Sequence, residues 1–377
     1  MKREVWVIPP KEAKKEGMVW KLKKGVYGLK DAARVWYDSL VKILTGLGGK
    51  RNRLEPTVFT WSQNGSLTGI MCTHVDDICY GGNEWFHHDV IGQLKTQLKM
   101  GKESRTPFKY IGIDVTSEER GVLLSQNNYL QKLEVPERSL YKKKEKLSPE
   151  EQTRYRSLVG KLNWLCQHLR PDLAYGVSYM SQFSQSGNAE NMRKVLKLIE
   201  EGKKEVWRIL LRRLEGKISI IVYADASMRK SKEGNPGSPQ GGFVVSLMDE
   251  EGLICPIMWK SHLIKRKVQS TMEAETKSLI EGIEGGILIK QLWKELVGED
   301  LKIVAISDSK TLVDGIYSTS KVKNLRLQID VAYIKQTIEE GLVEKIRWVN
   351  SKHQIADPLT KEGVPTRMLR RHMEGDC

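Results

Sequence analysis

No uninterrupted apolar run in this 377-residue chain approaches the ~18 residues of a membrane-spanning helix. The N-terminus is charged and lacks the apolar stretch of a secretory leader, so the chain does not read as secreted. Cysteine is sparse: Cys72, Cys79, Cys166, Cys255 and Cys377 are scattered. No pair has zinc-ligand spacing, and an odd number argues against a disulfide framework. A reducing compartment is expected, intracellular and either cytoplasmic or nuclear, with no membrane partner. There is no internal repeat and no long low-complexity tract. Acidic residues are in deficit, 47 against 62 Lys and Arg, for a net charge of +15. Such a balance fits a protein that meets a polyanion, or simply a solvated basic surface. Apolar residues make up 40%, enough for real cores, and the length predicts two or three domains.

Residues 1 to about 140 read as short strands mixed with helices. Within them, 66–82 read as a hairpin, Leu67 to His74 going up and Ile78 to Tyr80 returning before Gly81-Gly82. The run Lys142-Lys143-Lys144-Glu145-Lys146 reads as a boundary or solvated linker. From Ser148 to about Arg213 the pattern is helical. Ser148-Pro149-Glu150-Glu151 predicts a capping box with Pro in the first turn. From Lys217 the pattern changes. Strands are expected at 217–225, 243–247 and 254–260, with a glycine-, proline- and serine-rich loop from Gly234 to Gly242. A long helix at 271–297, a strand at 302–307, helices near 309–317 and 325–340 and a strand at 343–349 follow. Three antiparallel strands and then alternating helices and strands predict a mixed sheet with packed helices, an α/β domain of roughly 150 residues.

Four acids stand out in this last part. Asp225 closes the first strand, Glu275 lies early in the long helix, Asp308 closes the strand at 302–307, and Asp357 follows the last strand by a short loop. Four converging carboxylates do nothing for a fold, yet they can hold two magnesium ions about 3.5–4 Å apart for phosphodiester hydrolysis. Glu273 and Glu275 lie about 200° apart on a helix, so they can hardly face one site together. Position alone does not choose between them.

The segments Ala224-Asp225-Ala226-Ser227, Ser270-Thr271-Met272-Glu273-Ala274-Glu275, Ser307-Asp308-Ser309 and Gln354-Ile355-Ala356-Asp357-Pro358-Leu359-Thr360-Lys361 resemble the ribonuclease H domain of copia-type retrotransposon polyproteins. The resemblance selects Glu275 over Glu273 and implies Asp225, Glu275, Asp308 and Asp357 as Mg2+ ligands, with Mn2+ as a possible substitute. His353, four residues before Asp357, would correspond to the mobile histidine with which many ribonucleases H help product release, or is an ordinary polar loop residue.

Upstream, the apex His74-Val75-Asp76-Asp77 puts two acids at a tight turn, where Asp is favoured in any case. The segment Leu22 to Tyr37, with its core Gly25-Val26-Tyr27-Gly28-Leu29-Lys30-Asp31-Ala32-Ala33-Arg34-Val35-Trp36, resembles the copia-type reverse transcriptase sequence before its catalytic hairpin. Phe108-Lys109-Tyr110-Ile111-Gly112-Ile113 resembles the primer-steadying segment. Tyr155 to Trp164 and Arg170-Pro171-Asp172-Leu173-Ala174-Tyr175 resemble the region leading to ribonuclease H. The resemblance spans about residues 4–364. It implies Asp76 and Asp77 as polymerase metal ligands. The family usually has an aromatic residue where His74 stands, and its first polymerase Asp falls upstream of the segment matched by residues 4–10. Polymerase activity is therefore expected to be defective in this chain alone, and a palm lacking its first strand would expose a sheet edge.

The expected fold class is thus α/β and α+β. A truncated reverse transcriptase palm at 1–140 precedes a helical thumb or connection at 141–215. A ribonuclease H-like mixed five-stranded sheet with flanking helices follows at 216–377 and is expected to fold more independently. The expected partner is an RNA/DNA hybrid, bound through phosphates with little sequence preference and steep salt dependence. Lys260, Lys265, Arg266 and Lys267, before the Glu275 helix, are candidate phosphate contacts or a solvated basic loop. Lys30 and Arg34 are candidates in the upstream part. Two other readings stay open: a working reverse transcriptase completed by an upstream segment, and a non-catalytic nucleic-acid-binding remnant.

Overall fold

A computed structural model describes residues 4–13, 17–26, 28–141, 145–228, 239–319 and 324–376. Tyr27, most of the 142–146 charge run and residues 234–238 of the expected loop lie outside the described residues. The chain divides into two compact units, Met1–Glu103 with Glu295–Gly298, and Ser104–Lys294 with Glu299–Cys377.

In the first unit a short pair, β1 (Trp6–Val7) and β2 (Trp20–Lys21), precedes helix α1 (Ala32–Gly46). A four-stranded antiparallel sheet follows, of order β3 (Lys50–Arg51), β4 (Val58–Gln63), β5 (Ser66–His74), β6 (Asp77–Gly82). The expected hairpin is β5–β6. His74 pairs with Asp77, which leaves Val75 and Asp76 as the two turn residues. Leu40 and Leu44 of α1 share a core with Phe59, Trp61 and Met71 of the sheet and with Phe86 and Leu94, which lie before and within helix α2 (Gly92–Gln97).

The second unit opens with β7 (Phe108–Tyr110), β8 (Ile113–Glu118) and β9 (Gly121–Ser125), then helix α3 (Asn127–Gln131). Helices α4 (Pro149–His168), α5 (Pro171–Ser181) and α6 (Ala189–Lys204) follow. The capping box at α4 forms as expected: Ser148 Oγ accepts from the Glu151 N–H at 3.2 Å, and the Ser148 N–H donates to Glu151 Oε2 at 2.8 Å. The helical pattern does not run on to Arg213. Ile209–Arg212 form strand β10, which pairs antiparallel with β9. Ile209 and Leu210 suit a helix or a strand, and the free edge of β9 decides. Arg170 and Asp172 of the connecting motif form a buried two-point ion pair, while Arg170 Nη1 donates to the Gly202 carbonyl at 3.0 Å. The motif thereby joins α5 to α6.

Strands β11 (Ser219–Ser227), β12 (Gln240–Met248), β13 (Ile254–Leu263), β14 (Lys302–Ser307) and β15 (Lys345–Trp348) make the expected mixed sheet, of order β13-β12-β11-β14-β15. The first three are antiparallel, and β14 and β15 run parallel to β11. Gly241 and Gly242 belong to β12 and not to the expected loop. Helices α7 (Thr271–Val297), α8 (Lys310–Tyr317) and α9 (Leu325–Glu339) pack on one face, over Ile220, Val222 and Val245. The other face carries Val244 and Tyr223 against α4, α5, α6 and helix α10 (Arg367–Met373). Cover on both faces explains the continuous apolar run in β11. It also corrects the expectation of an independent ribonuclease H-like part. Val244, Ile355 and Leu359 lie in one core with Leu158, Leu162 and Val177, and Trp259 Nε1 donates to the Cys166 carbonyl at 2.6 Å.

Among the described residues no helix is long and apolar enough to cross a membrane.

Candidate active site

Two glycines let the elements approach closely enough to build the site. A Cβ on Gly282 would stand 2.8 Å from Val222 Cγ1, so α7 lies directly on β11 and carries Glu275 to the end of that strand. Gly242 pairs with Asp225 across β11–β12, and a Cβ there would stand 2.7 Å from Leu359 Cβ and 2.9 Å from Thr360 Cγ2. Its absence admits the loop after β15 alongside Asp225. That loop is then fastened: the Gln354 amide donates to the Ala224 carbonyl at 2.9 Å, Ser227 Oγ to the Thr360 carbonyl at 2.5 Å, and Ser261 Oγ to the Leu359 carbonyl at 2.6 Å. Ser278 Oγ donates to the Gly242 carbonyl at 3.0 Å and accepts from its N–H at 3.1 Å, clamping α7 to β12.

Carboxylate oxygens of Asp225, Glu275 and Asp308 all lie within 4.8 Å of one another. The Glu273 ambiguity resolves by geometry. Its carboxylate accepts from the Gln269 N–H at 2.8 Å and its own N–H donates to Ser270 Oγ at 3.2 Å, so it caps the start of α7. Glu275 instead accepts from the Ala226 N–H at 3.1 Å. Asp308 is held by the Ser351 hydroxyl, which donates to Oδ2 at 2.6 Å, and its carbonyl accepts from Trp348 Nε1 at 3.0 Å. Asp225 accepts from the Thr360 hydroxyl at Oδ2 and lies 3.4 Å from the Lys361 ammonium.

Asp357 departs from expectation. Among the described residues the convergent acids are three, and Asp357 is not one of them. It begins a short 3-10 turn, Asp357–Leu359, and its carboxylate accepts from Lys361. It still lies near enough to Asp225 to disfavour a second negative charge there. A favourable ion pair on its own helical turn outweighs entry into an already crowded acidic site.

Burial, chiefly, pushes the Asp225 and Glu275 carboxyls above the ordinary carboxylate range, and their acidic neighbours push further. Lys361 opposes this for both, helped by Thr360 at Asp225 and by the Ala226 N–H at Glu275. Asp225 Oδ1 is buried and accepts no hydrogen bond. A buried oxygen without a donor, among acids that disfavour one another's charge, fits a bound cation. The acids border an open cleft of about 520 Å³, also lined by Tyr175, Ser227, Thr271 and Lys361.

The remaining candidates are less gathered. His353 is exposed on the 3-10 turn Ser351–His353 and does not line the cleft. Lys260 is paired with Glu281 at 2.9 Å, and Arg266 lies 4.0 Å from Asp330, while Lys265 and Lys267 are exposed. In the first unit Lys30 and Arg34 are exposed, with Arg34 3.9 Å from Asp38. Asp76 and Asp77 are exposed at the hairpin apex, and no third acid joins them among the described residues. Trp36 Nε1 donates to the Val75 carbonyl at 2.6 Å, and Val75 takes φ 56°, rare for a β-branched residue. The apex is therefore pinned to α1.

Several contributors carried no role in the sequence reading. Gln354, Thr360, Lys361 and Tyr175 sit inside quoted motifs, so motif membership was a signal. Ser351 and Ser278 had none.

Residues 1–150 match the reverse transcriptase (RNA-dependent DNA polymerase) family. Over 370 residues the chain is 25% identical to a retrovirus-related Pol polyprotein from transposon RE1 of Arabidopsis thaliana, covering 91% of this chain and 24% of the relative. Over 404 residues it is 26% identical to that of transposon TNT 1-94 of Nicotiana tabacum, covering 96% and 28%. Over most of its length the chain resembles copia-type retrotransposon Pol polyproteins. It spans about a quarter of the length of the curated relatives it first matches. Among solved structures, LC11-RNase H1 in complex with an RNA/DNA hybrid is 25% identical with a TM-score of 0.30, covering 38% of this chain and 94% of that one. A prototype foamy virus protease-reverse transcriptase is 14% identical with a TM-score of 0.25, covering 96% and 41%. The part that matches the reverse transcriptase family precedes the mixed sheet that carries the acidic cluster.

Proposed function

We propose that the copia-type chain hydrolyses the RNA strand of an RNA/DNA hybrid in a Mg2+-dependent reaction at the Asp225–Glu275–Asp308 cluster. The convergence of these three carboxylates beside an open cleft carries the reading. A divalent ion pair held by these acids, with Asp357 as a further ligand, would supply an activated water and neutralise the leaving oxygen. The chain's own residues do the rest. The Ala226 N–H fixes Glu275, Ser351 fixes Asp308 and Thr360 fixes Asp225, so the acids are aimed before any ligand arrives. The cleft gives a phosphate backbone access, and exposed Lys265 and Lys267 offer contacts that position it without reading sequence. His353 is assigned to product release.

In this reading residues 1–140 are a partial polymerase, 141–215 the connection and 216–377 the nuclease, in an intracellular protein. Asp76 and Asp77, without a third convergent acid among the described residues, support no primer extension by this chain alone. Detectable extension by the purified chain would overturn that part.

The main test is a labelled hybrid incubated with the full chain and Mg2+, beside Asp308→Asn. Cleavage is expected, with a loss of about two orders of magnitude or more in the variant, while hybrid binding in EDTA stays. Binding without cleavage by the folded wild-type chain would favour the non-catalytic remnant.

A further inference from the structure

One side chain accounts for the absence of Asp357 from the cluster. Lys361 lies four residues after Asp357 and donates its ammonium to Asp357 Oδ1, and the same ammonium stands 3.4 Å from Asp225 Oδ2. This placement is built by the backbone. The Lys361 N–H donates to the Asp357 carbonyl at 3.2 Å, while the preceding residue is tied by its hydroxyl to Asp225 and by its carbonyl to Ser227. The side chain is thus delivered into the acids from a fixed anchor. One ammonium cannot serve them all, and Asp225 Oδ1 is left without a donor.

We propose that Lys361 is the resident counter-cation of the acidic site: it holds Asp225 and Asp357 while no divalent ion is present, and must release them when one binds. It thereby sets the divalent-ion concentration at which the site fills. This rests on the reading of the acids as metal ligands. The reasoning is a competition between cations for the same oxygens. Asp225 Oδ2 is occupied by Thr360 and Lys361, and Asp357 is paired with the same lysine. A divalent ion brings twice the charge to the same oxygens, and the lysine lies on a side chain 39% exposed, free to swing towards water. That exposure screens the pairs, so their strength is far below the dry-interior limit.

The test is direct binding of Mn2+ to the full chain without nucleic acid, followed by electron paramagnetic resonance, with thermal melting in EDTA and in Mn2+. Lys361→Met is expected to tighten Mn2+ binding by about five- to thirtyfold, since losing two partly screened ion pairs removes the competitor. It is also expected to melt lower than wild type in EDTA and to gain more on adding Mn2+. Lys361→Arg keeps the charge and should stay near wild type. Lys361→Gln serves in place of the Met variant if that chain does not fold. Unchanged or weaker Mn2+ binding in the neutral variants overturns the proposal, as does a variant that instead loses hybrid affinity alone, which would make Lys361 a phosphate contact. Asp308→Asn separates this from the underlying reading. If wild type and Asp308→Asn bind Mn2+ equally poorly, the metal assignment itself fails.

Discussion

His372 gives the sharpest quantitative test of the packing that supports the five-stranded mixed sheet. It lies on α10, buried against the face of the sheet opposite α7. Its Nε2 is 2.7 Å from Ser246 Oγ, and it packs edge-on to Tyr223 with ring centroids 5.7 Å apart. Nδ1 is buried without a partner. Burial pushes its pKa down from 6.5 to about 4, because the charged imidazolium has no counter-ion there. The unfolded chain takes up a proton near pH 6.5 and the folded chain only near pH 4. Between those values the unfolded state binds more protons, so stability falls as pH falls. The full contribution is present above pH 6.5, declines at about 1.4 kcal/mol per pH unit, and is lost below pH 4. Over that window the loss is about 3 kcal/mol. The assay is urea denaturation of wild type and His372→Phe, followed by circular dichroism at pH 7.5 and pH 4.5. The variant is expected to be about 1 kcal/mol less stable at pH 7.5, because Ser246 loses its partner. Its further decline on acidification should be smaller than that of wild type by about 2–3 kcal/mol. Carboxylate titrations are common to both chains and cancel in the difference. Parallel pH profiles would refute the argument and mean that the histidine is solvated or charged in the folded chain.

The shared core leads to a second expectation. A fragment of residues 216–377 should self-associate by light scattering because Val244, Trp259 and Leu359 lose their cover, while 104–377 should stay monodisperse. Gly242→Ala should cost about 1–3 kcal/mol by crowding Leu359 and Thr360, and hybrid cleavage should fall with it. A stable, fully active variant would mean that the loop has room to retreat. Hybrid affinity measured against salt should fall steeply, and Lys265→Ala with Lys267→Ala should flatten the log–log slope by about one for each phosphate no longer neutralised. No change in slope would make these two lysines a solvated loop.

Much was legible in the linear chain because it depends on local pattern. The 27-residue helix from Thr271 to Val297, the hairpin at Asp76–Asp77, the capping box at Ser148 and the succession of strands and helices in the mixed sheet all follow from periodicity, turn chemistry and side-chain reach. The expectations that failed concern distant partners. Ile209–Arg212 became a strand because β9 had an open edge, and residues 216–377 proved not to be a separate body because α4–α6 cover one face of their sheet.

The candidate site divides in the same way. Sequence by itself determined that acids stand at strand ends and early in a helix, since strand and helix periods place them there. Position along the helix left Glu273 and Glu275 open and only the family resemblance chose Glu275; the tertiary structure supplied the physical reason, which face of α7 meets β11. It also decided that Asp357 is held by Lys361 and not by the cluster, because that balance turns on distances among four carboxylates and one ammonium drawn from separate elements.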